Sequence, residues 1–172
     1  MSLELISVDT SDLSTLDQMA RLNGRNVPEL GPADLAKITD LVSRAWWSLA
    51  VLDEGGSLAG FAIVFEPGAQ YTSVNYRYFD ERYRDFVYLD RVAVDGAWRR
   101  RGVATMIYDA VADRGRDRGW FALEVNVAPR NEVSLAFHRR YGFTEIARQN
   151  TGSYPGRPDE EIIVSLQVAR LG

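Results

Sequence analysis

Val87-Tyr88-Leu89-Asp90-Arg91-Val92-Ala93-Val94, followed by Arg99-Arg100-Arg101-Gly102-Val103-Ala104-Thr105-Met106-Ile107, decides the fold of this chain. The first run is apolar and β-branched, a strand. After the loop, Val103, Met106, Ile107, Ala110 and Val111 recur at i, i+3, i+4, i+7 and i+8, the spacing of an amphipathic helix. A strand, a tight loop and a helix N-terminus leave backbone N–H groups unpaired at the positive end of the helix dipole. Gly102 lacks the Cβ that would keep an anion away, Ala104 keeps the first turn small, and three arginines attract negative charge. The expected ligand is a phosphate or pyrophosphate. The stretch lacks the terminal Gly-Lys-Ser/Thr of a Walker loop and is not a Gly-x-Gly-x-x-Gly dinucleotide turn.

Downstream of this unit, Phe121, Leu123, Val125 and Val127 alternate as a strand, Pro129-Arg130-Asn131 breaks it, and a helix runs on to Gly142. Phe143–Ala147 and Ile162–Val168 read as the last strands. Upstream, Leu3–Val8 reads as a strand, and Asp9-Thr10-Ser11-Asp12 caps a helix carrying Leu13, Leu16, Met19 and Ala20. A loop over 23–32 and a helix over 33–44 follow. Trp46–Leu52 and Leu58–Phe65 form a hairpin around Asp53-Glu54-Gly55-Gly56. The segment Tyr71–Phe86 is too polar for core and too aromatic for an ordinary loop. The order β-α-α-β-β-β-α-β-α-β-β implies one mixed α/β domain over residues 1–172.

Composition narrows the chemistry. With no Cys there is no disulfide, thiolate metal site or Cys nucleophile, and the single His138 excludes a multi-histidine metal site. Acids outnumber bases by 24 to 20, a net charge of −4, opposite to a general nucleic-acid binder. The apolar run Ala45–Leu52 is far short of the ~18–20 residues of a membrane span. Met1-Ser2-Leu3-Glu4 has no basic, signal-like start. The expectation is a cytoplasmic protein without membrane or nucleic-acid partners.

Arg99, Gly102 and Ala104 match the Gln/Arg-x-x-Gly-x-Gly/Ala loop of the GNAT superfamily of N-acetyltransferases. Asn131, Ser134, His138 and Gly142-Phe143 match its Asn-x-x-Ala/Ser-x-x-x-Tyr/His-x-x-x-Gly-Phe signature. The chain resembles that superfamily specifically over Phe86–Ala147 and loosely before it. The resemblance implies a central, mostly antiparallel sheet of about six to seven strands with about four flanking helices, and acetyl-CoA as co-substrate without a metal. By the same resemblance, Val92, Ala93 and Val94 line the pantetheine. Arg99, Arg100, Arg101, Gly102, Val103, Ala104 and Thr105 hold the pyrophosphate. Asn131, Ser134 and His138 lie on the helix beside the cofactor. A small-molecule or peptide amine is the implied acceptor. Dimers are frequent among such proteins, so a homodimer belongs to the expectation.

Asn131, Ser134 and His138, at i, i+3 and i+7, line one helix face, with Val133, Ala136, Phe137 and Tyr141 forming an adjacent apolar face. His138 stands where many family members carry the tyrosine assigned to the departing thiolate, and an imidazole titrates in a suitable range. A bridging or capping role is the alternative. Asp90 and Glu124, acids in strands that otherwise read as buried, are candidate bases for an acceptor ammonium, or members of ion pairs with Arg91. The aromatic stretch, through Tyr76, Tyr78, Phe79 and Tyr83, would line the acceptor pocket or pack under a loop. Asn26, Glu29 and Trp46 are further candidates for that pocket. Two other functions stay open: an acyltransferase for another acyl-CoA or a hydroxyl acceptor, and a non-catalytic acyl-CoA-binding sensor or interaction module.

Overall fold

The computed structural model describes residues 2–154 and 156–172. Strands β1 (Leu3–Ser7), β2 (Trp47–Asp53), β3 (Leu58–Phe65), β4 (Phe86–Val94), β5 (Trp120–Ala128), β6 (Thr144–Tyr154) and β7 (Arg157–Arg170) form one sheet in the order β1-β2-β3-β4-β5-β7-β6. Only β4 and β5 run parallel; every other neighbouring pair is antiparallel. Helices α1 (Leu13–Arg25), α2 (Leu35–Arg44) and α3 (Val74–Arg82) contribute to the core on one face. Helices α4 (Val103–Arg114) and α5 (Glu132–Tyr141) cover the other.

Local chemistry accounts for the helix boundaries. Asp12 and Asp34 cap α1 and α2 by accepting the backbone N–H of Thr15 and Lys37. Asn131 caps α5 through the N–H of Ser134, and Gly142 ends that helix in the left-handed region. The aromatic stretch 71–86 contains α3, a fifth helix that sequence periodicity does not announce. Tyr76 and Phe79, three apart, face the core while Arg77, Asp80 and Glu81 face solvent. The last two strands run longer than their apolar centres, because the polar residues 148–154 and 157–161 extend them as a hairpin.

Two features position the centre of the sheet. Pairing of β4 with β5 covers Phe86–Leu89 against Trp120–Leu123 and stops there, so the strands part from Asp90 and Glu124 onward. At the same level, β4 carries a bulge: Ile63 pairs with Arg91 and Val64 with Leu89, leaving Asp90 out of register with β3. The extra residue re-aims its neighbours, and both Asp90 and Arg91 turn to the α1–α3 side.

Candidate active site

The fork between β4 and β5 opens toward the start of α4. Asp95 N–H donates to Ala59 O of β3 at 2.9 Å. Strand alternation therefore turns the polar backbone groups of Val92 and Val94 toward the open edge and those of Ala93 toward β3. Beyond a 3-10 turn (Gly96–Trp98), Arg100 at φ 60° and Gly102 at φ 82° both adopt the left-handed conformation. Left-handed backbone is costly at a residue bearing a side chain, so the tight loop is held by its surroundings. Gly102 caps α4 without a side-chain hydrogen bond, and no protein acceptor among the described residues takes the N–H of Val103, Ala104 or Thr105. These donors suit an anion. Close packing fixes the helix start: a Cβ on Gly60 would lie 2.9 Å from Ala93 O and 3.0 Å from Val103.

The arginines of the loop differ in setting. Arg99 reaches Asn26 Oδ1 at 3.2 Å, tying the loop to the end of α1, and Arg101 lies over the Trp98 ring. All three, Arg99, Arg100 and Arg101, are exposed. Glu29 is also exposed, in the segment after α1.

On the α1–α3 face, two carboxyls sit at the mouth of the fork, each with a tyrosine hydroxyl. Tyr88 Oη donates to Glu124 Oε2 at 2.5 Å, and Tyr71 Oη donates to Asp90 Oδ1 at 2.7 Å. Asp90 Oδ2 lies 3.3 Å from Arg91 Nε with no hydrogen bond between them. The Arg91 guanidinium donates instead to Asn23 Oδ1 at 2.8 Å and Gly31 O at 2.6 Å. Burial raises both acids above the usual carboxylate range. Asp90 has Arg91 beside it opposing that shift; Glu124, with the Asp90 charge nearby, is pushed up to about 8. Asp90 is thus the ion-paired acid and Glu124 the one poised near neutrality.

On the opposite face, His138 is 5% exposed, enclosed by Tyr108, Phe137 and Phe143. Its Nε2 shares a 2.7 Å hydrogen bond with the Tyr108 hydroxyl, and its Nδ1 is buried without a partner. Burial lowers its pKa to about 4, so the ring is neutral at pH 7. It can offer a neutral N–H to a departing group, but not an imidazolium. Ser134 is half-buried, and Asn131 is committed to capping α5. Val133, placed by spacing on the apolar face, is 82% exposed.

The aromatic candidates separate. Tyr76 and Phe79 are 1% and 0% exposed and pack among Phe86 and Tyr88, inside the core rather than on a pocket wall. Tyr78 stacks under Arg82, and Tyr83 meets the edge of Trp120. Trp46 lies against Arg114 and Arg118 beyond the far end of α4. Residues that sequence reasoning missed are Tyr71, Tyr88 and Tyr108. Alternation alone places Tyr88 on the same face as Asp90; it is Arg91 that joins them only through the bulge, and nothing in the composition marks the bulge.

Among the described residues there is no group of three or more His, Asp or Glu able to hold a metal ion, and no helix is long and apolar enough to cross a membrane. Comparison with known proteins adds three findings. Residues 17–143 match the family model described as the acetyltransferase (GNAT) family. An alignment of 78 positions, covering 41% of this chain and 45% of the other protein, is 37% identical to L-2,4-diaminobutyric acid acetyltransferase of Streptomyces coelicolor. Among solved structures, Ard1 from Thermoplasma volcanium superposes with a TM-score of 0.75 at 19% identity, covering 100% of this chain and 99% of the other. Arabidopsis thaliana NAA60 in complex with acetyl-CoA superposes with a TM-score of 0.72 at 18% identity, covering 99% of each chain.

Proposed function

This chain belongs to the acetyltransferase (GNAT) family, and from that premise we propose that it is an N-acetyltransferase using acetyl-CoA and a primary amine acceptor, with Glu124 as its base. The observation that carries the reading is the juxtaposition at the fork. The open edge of β4, the unpaired N–H groups of α4 and a carboxyl held near neutrality lie around one opening.

The residues present fit the co-substrate. The N–H groups of residues 103–105, with the left-handed Arg100 and Gly102, form a cradle for a pyrophosphate. The backbone edge of Val92 and Val94 offers strand-like hydrogen bonds to an amide-bearing arm and a donor where negative charge develops. Acetyl-CoA, when bound, supplies an acetyl group activated as a thioester. An acceptor amine of pKa ~10.4 is mostly protonated at pH 7 and must lose a proton before it can attack. Glu124, at about 8, is a stronger base than an ordinary carboxylate while still partly ionised near neutrality. Asp90, bound by Tyr71 and flanked by Arg91, holds the bulge and adds negative potential that favours a cationic acceptor. The acceptor comes from the α1–α3 side, where both carboxyls lie. His138 packs α5 against α4 and orients the helix that borders the cleft. The partially matching relative acetylates a small diamino acid, which accords with an amine acceptor. We read residues 1–172 as one such domain acting in the cytoplasm.

The test is calorimetric titration with acetyl-CoA of the wild type and of an Arg100→Glu/Gly102→Asp variant, followed by a thiol-release screen against a library of amines. The expected result is 1:1 binding lost in the variant, with turnover on at least one amine. Failure of a folded wild type to bind would remove the co-substrate assignment. Binding without turnover on any amine would favour the sensor.

A further inference from the structure

Strand β7 carries polar groups where packing calls for apolar ones. Val164, Leu166 and Val168 are buried toward the α1–α3 side. Between them, Ser165 and Gln167 alternate to the α4–α5 side, 0% and 7% exposed. Gln167 Nε2 donates to Ser165 Oγ at 3.0 Å, and Gln167 Oε1 is buried without a partner. A buried acceptor left unmatched has given up water and gained nothing in return. Gln167 lines a cavity of about 260 Å³ between α5 and the β6–β7 pair. The other polar lining groups are charged: Arg130, Arg139 and Arg148, with the single carboxylate of Glu145. Arg148 Nε donates to both Glu145 oxygens, at 3.0 and 3.1 Å, and Arg130 pairs with Glu132. Among the described residues, Arg139 has no ion-pair partner. The cavity is separate from the fork. His138 turns to Tyr108 of α4, and Arg139, about 100° further round the helix, turns to the cavity.

We propose that this cavity is a second small-molecule site, for a compact carboxylate bearing a hydroxyl or amino group beside its acid function. The planar fork of N–H donors on an arginine matches a carboxylate, and Arg139 is the lining arginine whose charge no acid of the chain neutralises. The amide oxygen of Gln167 can only accept, so it needs a donor, which the hydroxyl or amino group supplies. Size sets the remaining limit. The volume lies just below the ~300–1,000 Å³ of pockets for drug-sized ligands, which excludes a nucleotide and admits a molecule of a few carbons. Neither Glu124 nor the co-substrate enters this assignment; the ligand is bound here, not acetylated.

The experiment is a proton–nitrogen NMR titration of the full chain with L-lactate, L-serine, acetate and inorganic phosphate, on the wild type, Gln167→Leu and Arg139→Glu. Loss of a signal in Gln167→Leu assigns the Gln167 side-chain amide. L-lactate or L-serine is expected to shift that amide and the backbone amide of Arg139 together, with a dissociation constant on the order of 1 mM, which is what so few heavy atoms can supply. Acetate and phosphate, which lack the paired donor and acid, should bind about tenfold more weakly. Each substitution should weaken the better probe by about tenfold. Arg139 is exposed, so its variant decides the matter if Gln167→Leu fails to fold. No shift with any probe at about 50 mM overturns the proposal and leaves a cavity that holds only water. Shifts that are equal for all four probes, or unchanged in both variants, overturn it as well, because they report general attraction to surface arginines.

Discussion

The two faces of the sheet bury ionisable groups on opposite terms. On the α1–α3 face, Asp90 and Glu124 each receive a tyrosine hydroxyl, and Arg91 sits beside Asp90. On the α4–α5 face, His138 is surrounded by aromatic rings and has one hydrogen-bond partner, Tyr108. Burial disfavours the charged form on both sides, so the carboxyls are raised and the imidazole is lowered. The first face holds one carboxyl, Glu124, raised to about 8; the second encloses a ring that is neutral at pH 7. On the proposed reading, acid–base work and structural support lie on opposite sides of the same fork, although His138 matches a family signature and Glu124 matches none.

The largest effect that would break this comparison comes from exchanging the two groups' expected importance. Glu124→Gln keeps the shape and the Tyr88 contact but cannot take a proton. It should lower kcat by roughly 10²–10⁴-fold, the usual worth of a general base, while leaving acetyl-CoA affinity intact by calorimetry. His138→Gln should lower kcat by less than about tenfold, since no imidazolium is available to be lost. A reversed order, with His138 dominant, would move the chemistry to the α4–α5 face.

The pH dependence of stability sharpens the contrast further. Glu124 is raised in the fold, from 4.5 to about 8, so the native state keeps a proton that the unfolded chain releases. Its contribution is full below about pH 4.5 and is lost as pH rises through about 8. His138 is lowered, from 6.5 to about 4, so the unfolded chain binds a proton that the native state refuses. Its contribution is full above about pH 6.5 and is lost as pH falls through about 4. Between about 4.5 and 6.5 the two slopes, each up to ~1.4 kcal/mol per pH unit, oppose one another. Subtracting denaturation profiles isolates them. Relative to wild type, Glu124→Gln should gain stability as pH rises from 5 to 8, whereas His138→Phe should gain it as pH falls from 6.5 to 4. Parallel profiles for wild type and either variant would show that the group in question titrates normally.

How far the chain can be read without coordinates differs between these regions for physical reasons. The strand, loop and helix of residues 86–111 are legible because apolar period, glycine and arginine all point the same way, and the observed β4 and α4 follow them. The α5 boundaries are legible from Asn131 and Gly142, which cap it at either end. Helix α3 is not, because nine residues with Asn75, Tyr76 and Phe79 on the buried side, only two of them apolar, give too short a stripe to separate from alternation. The site is half legible. Asp90 and Glu124 stand out as charges in apolar strands, but their division of labour depends on the bulge that turns both Asp90 and Arg91 to one side. A bulge is a mismatch between two strands, and neither strand records it alone. His138 reads as one of a polar stripe, yet rotation of α5 by its packing on Tyr108 and Phe143 puts it inside.

The smallest effect expected concerns Tyr71, the donor to the ion-paired acid. Tyr71 stacks on Phe65 with ring centroids 4.3 Å apart, and Phe in its place would keep that stacking while removing the hydroxyl from Asp90 Oδ1. Asp90 Oδ2 already lacks a hydrogen bond, so the variant leaves the whole carboxylate dependent on the charge of Arg91. The loss should be about 1–3 kcal/mol in chemical denaturation, the cost of leaving a buried acceptor unpaired. It should come with little change in the pH at which kcat/KM rises, because Glu124 keeps Tyr88. The matching Tyr88→Phe variant strips the donor from the other acid and should instead move that limb to higher pH, since a donor to the charged form is gone. If the two substitutions behaved alike, Asp90 and Glu124 would be sharing one proton across the fork, and the separation of an ion-paired acid from a proton-accepting one would fail.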